Sequence, residues 1–175
     1  VDLHADLEAR DEHGHTPLHF AVVSEELEAV TQIVAELVRR GADKEAQTPN
    51  GETALHMAVK HARTPAVTEL VKLGAQVDSR SRRNWTPLHL AAAHGYVELV
   101  TELVRLDADK EAQTSNGDTP LHMAVKYACT PAVTELVKLG AQVDSRNRHN
   151  RTPLHLAAAH GYVELVTELV RLDAD

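Results

Sequence analysis

Large side chains are scarce in this chain. One Trp, three Tyr and one Phe serve 175 residues, fewer aromatics than a compact core of that size normally contains. Stacked thin layers closed by Ala, Leu and Val need no more, because each layer touches only its neighbours. Cysteine is nearly absent. Cys129 alone excludes an internal disulfide and fits a reducing, intracellular compartment, cytoplasmic or nuclear. No apolar run approaches the roughly 20 residues of a membrane helix, and there is no signal peptide, so no membrane insertion is expected. Positive charge is in deficit: 18 Lys and Arg face 26 Asp and Glu, a net charge of −8, which argues against nucleic acid and anionic membranes as partners. A glycine-rich phosphate loop is missing. None of the five serines sits in a strand-turn-helix elbow. No catalytic residue and no cofactor is expected. An initiator methionine is missing too, and the chain reads as an excised fragment.

What is present is a repeat. The heptapeptide TPLHLAA at 86–92 recurs as TPLHFAV at 16–22, TALHMAV at 53–59, TPLHMAV at 119–125 and TPLHLAA at 152–158. The leading threonines stand 37, 33, 33 and 33 residues apart. Self-similarity at that period marks an array of one supersecondary unit. The units read 16–52, 53–85, 86–118, 119–151 and a shortened 152–175, with 1–15 as the tail of a preceding unit, all in one domain.

Each unit follows one plan. Thr86 is a helix N-cap and Pro87 takes the first helical position, where its missing N–H costs nothing. Leu88, Leu90, Ala91 and Ala92 form a short apolar helix that Gly95 breaks. A second helix follows, with Val97, Leu99, Val100, Leu103, Val104 and Leu106 at three- and four-residue spacings. A polar segment then leads to the next threonine. In the second unit Ala62 replaces the glycine and Thr64-Pro65 opens the second helix. The first unit has four extra residues within 23–29, either one more helical turn or a longer loop.

A larger period overlies the smaller. Segments 44–109 and 110–175 differ at eight positions: 49/115, 52/118, 54/120, 61/127, 63/129, 81/147, 83/149 and 85/151. This is a recent duplication of a two-unit block or a designed array; Cys129 and the irregular first unit favour a natural origin.

The T-P-L-H-x-A motif, the period of 33 and the G-A-D helix end together resemble the ankyrin repeat. The resemblance implies an all-α solenoid of stacked antiparallel helix pairs with projecting hairpin loops and a concave groove. It also implies a role in binding other proteins without catalysis. Two departures stand out. Asp107 and Asp173 occupy the helix-end position that Gly41, Gly74 and Gly140 fill elsewhere, and a left-handed Asp costs up to about 1 kcal/mol relative to Gly. The last helix repeats 97–106 residue for residue without the polar outer face a terminal repeat needs. Fraying over 163–175, or self-association through that face, is expected.

Five of the twelve histidines, His19, His56, His89, His122 and His155, hold one place in each motif. Layers roughly 10 Å apart keep them from sharing a metal at bonds of ~2 Å; hydrogen bonding to loop backbone accounts for them. His13 and His15 flank a turn glycine with nothing to complete a metal site, so no metal is expected. Asn84 and Asn150 stand where Gly14, Gly51 and Gly117 stand, which points to left-handed turn residues rather than glycosylation acceptors.

The resemblance places partner contacts at hairpin tips and at the exposed end of the first helix. By motif register these are Glu12, His13 and His15; Glu52, Lys60 and His61; Arg82, Arg83, Trp85 and His94; Asp118, Lys126 and Tyr127; and Arg148, His149, Arg151 and His160. Pro49 and Ser115 sit on the same tips, so that five of the eight block differences (49/115, 52/118, 61/127, 83/149 and 85/151) fall on such positions. That pattern reads as diversification of a recognition surface, or as drift on tolerant loops. Trp85 has polar equivalents in every other unit. It is a binding anchor or a ring lying flat on its own hairpin. Arg80, Arg82 and Arg83, and again Arg146, Arg148, His149 and Arg151, form basic tips suited to an acidic segment of a protein partner. The other reading of the array is a structural spacer with no specific ligand, or a designed binder.

Overall fold

A computed structural model describes residues 5–24 and 27–173. Ten helices follow one another among them: α1 Pro17–Val23, α2 Leu27–Arg39, α3 Ala54–Lys60, α4 Thr64–Lys72, α5 Pro87–His94, α6 Val97–Arg105, α7 Pro120–Lys126, α8 Thr130–Lys138, α9 Pro153–His160 and α10 Val163–Asp173. Among the described residues there is no strand. The fold is the expected all-α solenoid of helix pairs.

The five caps explain why each first helix starts where it does. Thr16, Thr53, Thr86, Thr119 and Thr152 all have extended backbone. Three residues on, the histidine turns its ring back, so that Nδ1 accepts the threonine N–H at 3.1–3.3 Å. This is the reciprocal geometry of a capping box, with histidine where Glu or Gln commonly sits. Four of these helices begin with proline, and α3 begins with Ala54.

Packing runs in two rows. α1, α3, α5, α7 and α9 contact one another in sequence, and α2, α4, α6, α8 and α10 form the second row. Alanines at the contacts keep the layers thin: Ala58, Ala91, Ala92, Ala124 and Ala157 are fully buried. The apolar mass lies between the rows in Leu18, Leu55, Leu70, Leu88, Leu103, Leu121 and Leu136, each worth about 1.5–3 kcal/mol of burial. On the outer row threonine hydroxyls bridge neighbouring pairs. Thr68 donates to Glu102 at 3.1 Å, Thr101 to Glu135 at 2.9 Å and Thr134 to Glu168 at 3.0 Å.

The first pair's extra residues become one more helical turn. α2 has 13 residues where α4 and α6 have 9; residues 25 and 26, just before it, lie outside the described residues. Asp107 is left-handed, with φ of 72°. Its N–H and that of Ala108 close the helix on Val104 and Leu103 carbonyls, both at 3.0 Å, the pattern a glycine normally makes. Ala62 and Ala128 are also left-handed, at 54° and 56°, where the third and fifth pairs have Gly95 and Gly161. Asp173 is the last described residue of α10, and 174–175 lie outside the described residues.

The bare ends contrast with the interior. Leu88 is 0 % exposed under α7, whereas its counterpart Leu154 is 37 % exposed and Val163 is 76 % exposed. At the other end Phe20 is 54 % exposed.

Candidate functional site

The hairpins between pairs are built by short polar side chains. Ser81 N–H donates to the Trp85 carbonyl at 3.0 Å and Asn84 N–H to the Ser81 carbonyl at 2.8 Å. Ser81 Oγ accepts the Trp85 N–H at 3.2 Å. Asn84 and Asn150 are left-handed, at 55° and 59°, as turn residues should be. Each hairpin is then fastened from two sides. The motif histidine of the preceding pair donates from Nε2 to its last carbonyl: His19 to Glu52 at 3.2 Å, His56 to Trp85 at 2.9 Å, His89 to Asp118 at 3.0 Å and His122 to Arg151 at 2.9 Å. Adjacent tips also bond directly, Arg82 N–H to Asn50 carbonyl at 3.0 Å, Ser115 N–H to Arg83 carbonyl at 2.9 Å and Arg148 N–H to Asn116 carbonyl at 3.0 Å. Gly51 is needed for this approach, since a Cβ there would lie 2.7 Å from Arg82 N.

The ring hydrogen bonds fix the tautomer. Nδ1 accepts and Nε2 carries the proton, so the histidine must be neutral. Burial pushes the imidazoles of His19, His56 and His122 below the usual histidine range, and that of His89 down to about 4. Desolvation outweighs the carbonyl acceptor because the rings are almost wholly removed from water. These histidines are structural. Among the described residues, no group of three His, Cys, Asp or Glu could hold a metal ion. Cys129 is a half-buried thiol held on the Ala93 carbonyl at 3.4 Å, and burial pushes its pKa up.

Most of the expected surface residues are at the surface. Glu12, His13, Lys60, His61, Arg82, Arg83, His94, Lys126, Tyr127, Arg148, His149, Arg151 and His160 are exposed, while His15, Glu52 and Trp85 are half-buried. His15 is tied to Asp11 at 3.2 Å and lies 5.8 Å, ring to ring, from Phe20. Glu52 pairs with Lys60 at 3.3 Å. His94 and His160 stack on Tyr96 and Tyr162 at 5.3 Å.

Asp118 departs from the expectation of an exposed tip residue. It is only 6 % exposed and accepts a 2.7 Å hydrogen bond from Nδ2 of buried Asn147. In the other block the longer Glu52 reaches Lys60 instead, and shorter Ser81 stands at the asparagine position. Two of the eight block differences, 52/118 and 81/147, are thus one packing exchange: long acid with short partner, short acid with long partner. Arg80 is likewise not a free tip cation, since its guanidinium donates to the Gln113 carbonyl at 3.0 Å.

The structure gathers a subset of the expected residues around Trp85. One side of the indole packs against the core. Trp85 also lines two open cavities. The first, of about 470 Å³, includes Lys60, Arg82, Arg83 and Leu90. The second, of about 270 Å³, includes Arg83, Met123, Lys126 and Tyr127. Leu90 and Met123 occupy the x position of T-P-L-H-x-A, and neither is among the expected contact residues. Phe20, Met57 and Leu156 hold the same position. Variation at x within an otherwise fixed motif was the signal available for them. Glu12, His13 and His15 belong to the first hairpin and Arg148, His149 and Arg151 to the last; neither group lines the two cavities.

A family model described as ankyrin repeats, in three copies, matches residues 31–114 and 98–175. No curated protein matches the chain. No helix among the described residues is long and apolar enough to cross a membrane.

Proposed function

The chain belongs to the ankyrin-repeat family, and on that premise we propose that residues 1–175 act as one module that binds a protein partner through the hairpin tips and the adjoining ends of the first helices, inside the cell and without catalysis. Ankyrin repeats are generally protein-interaction modules and typically non-enzymatic. The observation that carries the reading is the pinning of Trp85: its carbonyl accepts from His56 and Ser81, its N–H donates to Ser81, and the residue still lines two cavities. Binding to such a surface orders little chain, so less of the contact free energy is lost to entropy. The basic tips at Arg82 and Arg83, and at Arg148, His149 and Arg151, favour an acidic stretch on the partner.

The test is capture of a partner by the intact protein and by alanine variants at Trp85, Arg83 and Tyr127, with melting temperature as the control for folding. The expected result is retained stability and lost capture. Unchanged capture by all three would remove this recognition surface, and no capture by the intact protein would leave the array as a spacer. A second reading, self-association, rests on the bare face carrying Leu154, Val163 and Val170. Sedimentation over a range of concentrations tests it; a monomer at high concentration rules it out.

A further inference from the structure

The two cavities beside Trp85 differ from the rest of this acidic chain in charge and in spacing. Four cations line them, Lys60, Arg82, Arg83 and Lys126, against two carboxylates, Glu52 and Asp118. Glu52 is occupied by Lys60 and Asp118 is buried on Asn147. His56, which also lines the first cavity, is held neutral by its hydrogen bonds. The charge offered to a ligand is therefore positive, although the chain as a whole carries −8. Apolar residues line both cavities, Leu90 in one and Met123 and Tyr127 in the other, with Trp85 common to the two.

The cavities sit on consecutive layers, and packed helices set layers about 8–10 Å apart. A peptide in the polyproline II conformation rises about 3.1 Å per residue and returns to the same face every third residue. Its side chains at i and i+3 are then about 9 Å apart on one face, which matches the layer spacing. A β-strand does not match, because its i and i+3 side chains point to opposite faces. We propose that this surface binds an extended acidic peptide segment of polyproline II form, with apolar side chains at i and i+3 seated on either side of Trp85 and carboxylates meeting Arg82, Arg83 and Lys126. The proposal rests on the protein-binding reading above and specifies its partner. Two junctions further along, Arg151 stands where Trp85 does, so that junction has no rigid aromatic wall.

The sole tryptophan of the chain is thus a reporter inside the proposed site. A random peptide library displayed on phage is selected against the whole protein, and enriched sequences are synthesised and titrated while indole emission is followed. Enriched ligands should be rich in Asp and Glu, carry apolar residues at i and i+3, and shift the emission. Arg83→Ala, which keeps the reporter, should weaken them roughly tenfold, the loss expected for one partly screened charge contact. Raising salt to about 0.5 M should weaken them further. Enrichment of basic or neutral sequences, an unmoved emission, or equal affinity for Arg83→Ala would overturn the proposal. Ligands that bind without touching the indole would do so while leaving the protein-binding reading intact. A selection that enriches nothing also overturns it, and capture of a folded partner then decides the broader reading separately.

Discussion

Mild acid should loosen this protein through its capping histidines. His89 is the clearest case. Its Nδ1 accepts the Thr86 N–H at 3.1 Å and its Nε2 donates to the Asp118 carbonyl at 3.0 Å. A proton on Nδ1 would face another donor inside a dry layer. The folded value near 4 lies below the ordinary 6.5. Between those limits the unfolded chain therefore binds a proton that the folded chain excludes. The stabilisation is complete above pH 6.5 and falls as pH is lowered towards 4. Each pH unit within the window corresponds to about 1.4 kcal/mol per proton, so His89 alone accounts for about 2 kcal/mol by pH 5 and about 3 kcal/mol by pH 4. His19, His56 and His122 shift in the same direction for the same reason and add to the effect. Asp78, whose carboxyl is raised by burial, works in the opposite sense at lower pH. The assay is urea unfolding followed by circular dichroism at half-unit steps from pH 7.5 to 5. His89→Gln should be less stable at pH 7.5, because a buried acceptor loses its donor at a cost of about 1–3 kcal/mol, but its stability should fall less steeply with acid. A wild-type profile flat from pH 7 to 5, or a variant with the wild-type slope, would refute the linkage between these rings and the fold.

Asp107→Gly should raise the unfolding midpoint, by up to about 1 kcal/mol, since the backbone there is already left-handed; thermal melts check it, and an unchanged or lower midpoint contradicts it. Ala62→Gly and Ala128→Gly should act in the same direction at the first-helix ends, each by a similar amount. Gly117→Ala should destabilise well beyond that, because its Cβ would meet Arg148 N at 2.7 Å in a position that is also left-handed; the measure is chemical denaturation. Asp118→Glu and Asn147→Ser should each be destabilising alone and less than additive together, with a coupling of about 0.5–3 kcal/mol, because the pair reproduces the Glu52 and Ser81 arrangement.

Much of this was legible in the residues. Threonine and histidine at fixed offsets, with proline in four of the five units, locate every first helix, and the equivalence of Asn84 with Gly14 points to the left-handed turn that the structure has. Asp107 was marked for the same reason. What escaped was set by contacts between residues 29 to 34 apart, which no local pattern encodes. Asp118 looked like a tip residue by register, yet it is buried because Asn147 of the next hairpin meets it. Arg80 looked like a free cation, yet it clasps the neighbouring loop. Trp85 is open in the sequence between anchor and flat ring; it is half-buried, packs against the core and lines two cavities. Of the expected surface residues, Glu52, Lys60, Arg82, Arg83, Asp118, Lys126 and Tyr127 line those cavities with it.

The threonine-to-glutamate bridges on the outer row and the histidine-to-carbonyl bonds on the inner row have a mechanical consequence. Each joins only one pair to the next. When the two ends of the chain are pulled apart, the junctions carry the load in series, and the weakest yields first without releasing the others. One lost pair of 33 residues frees roughly 110 Å of contour. The protein should then lengthen under tension in discrete steps of about that size, as a spring that gives way one coil at a time.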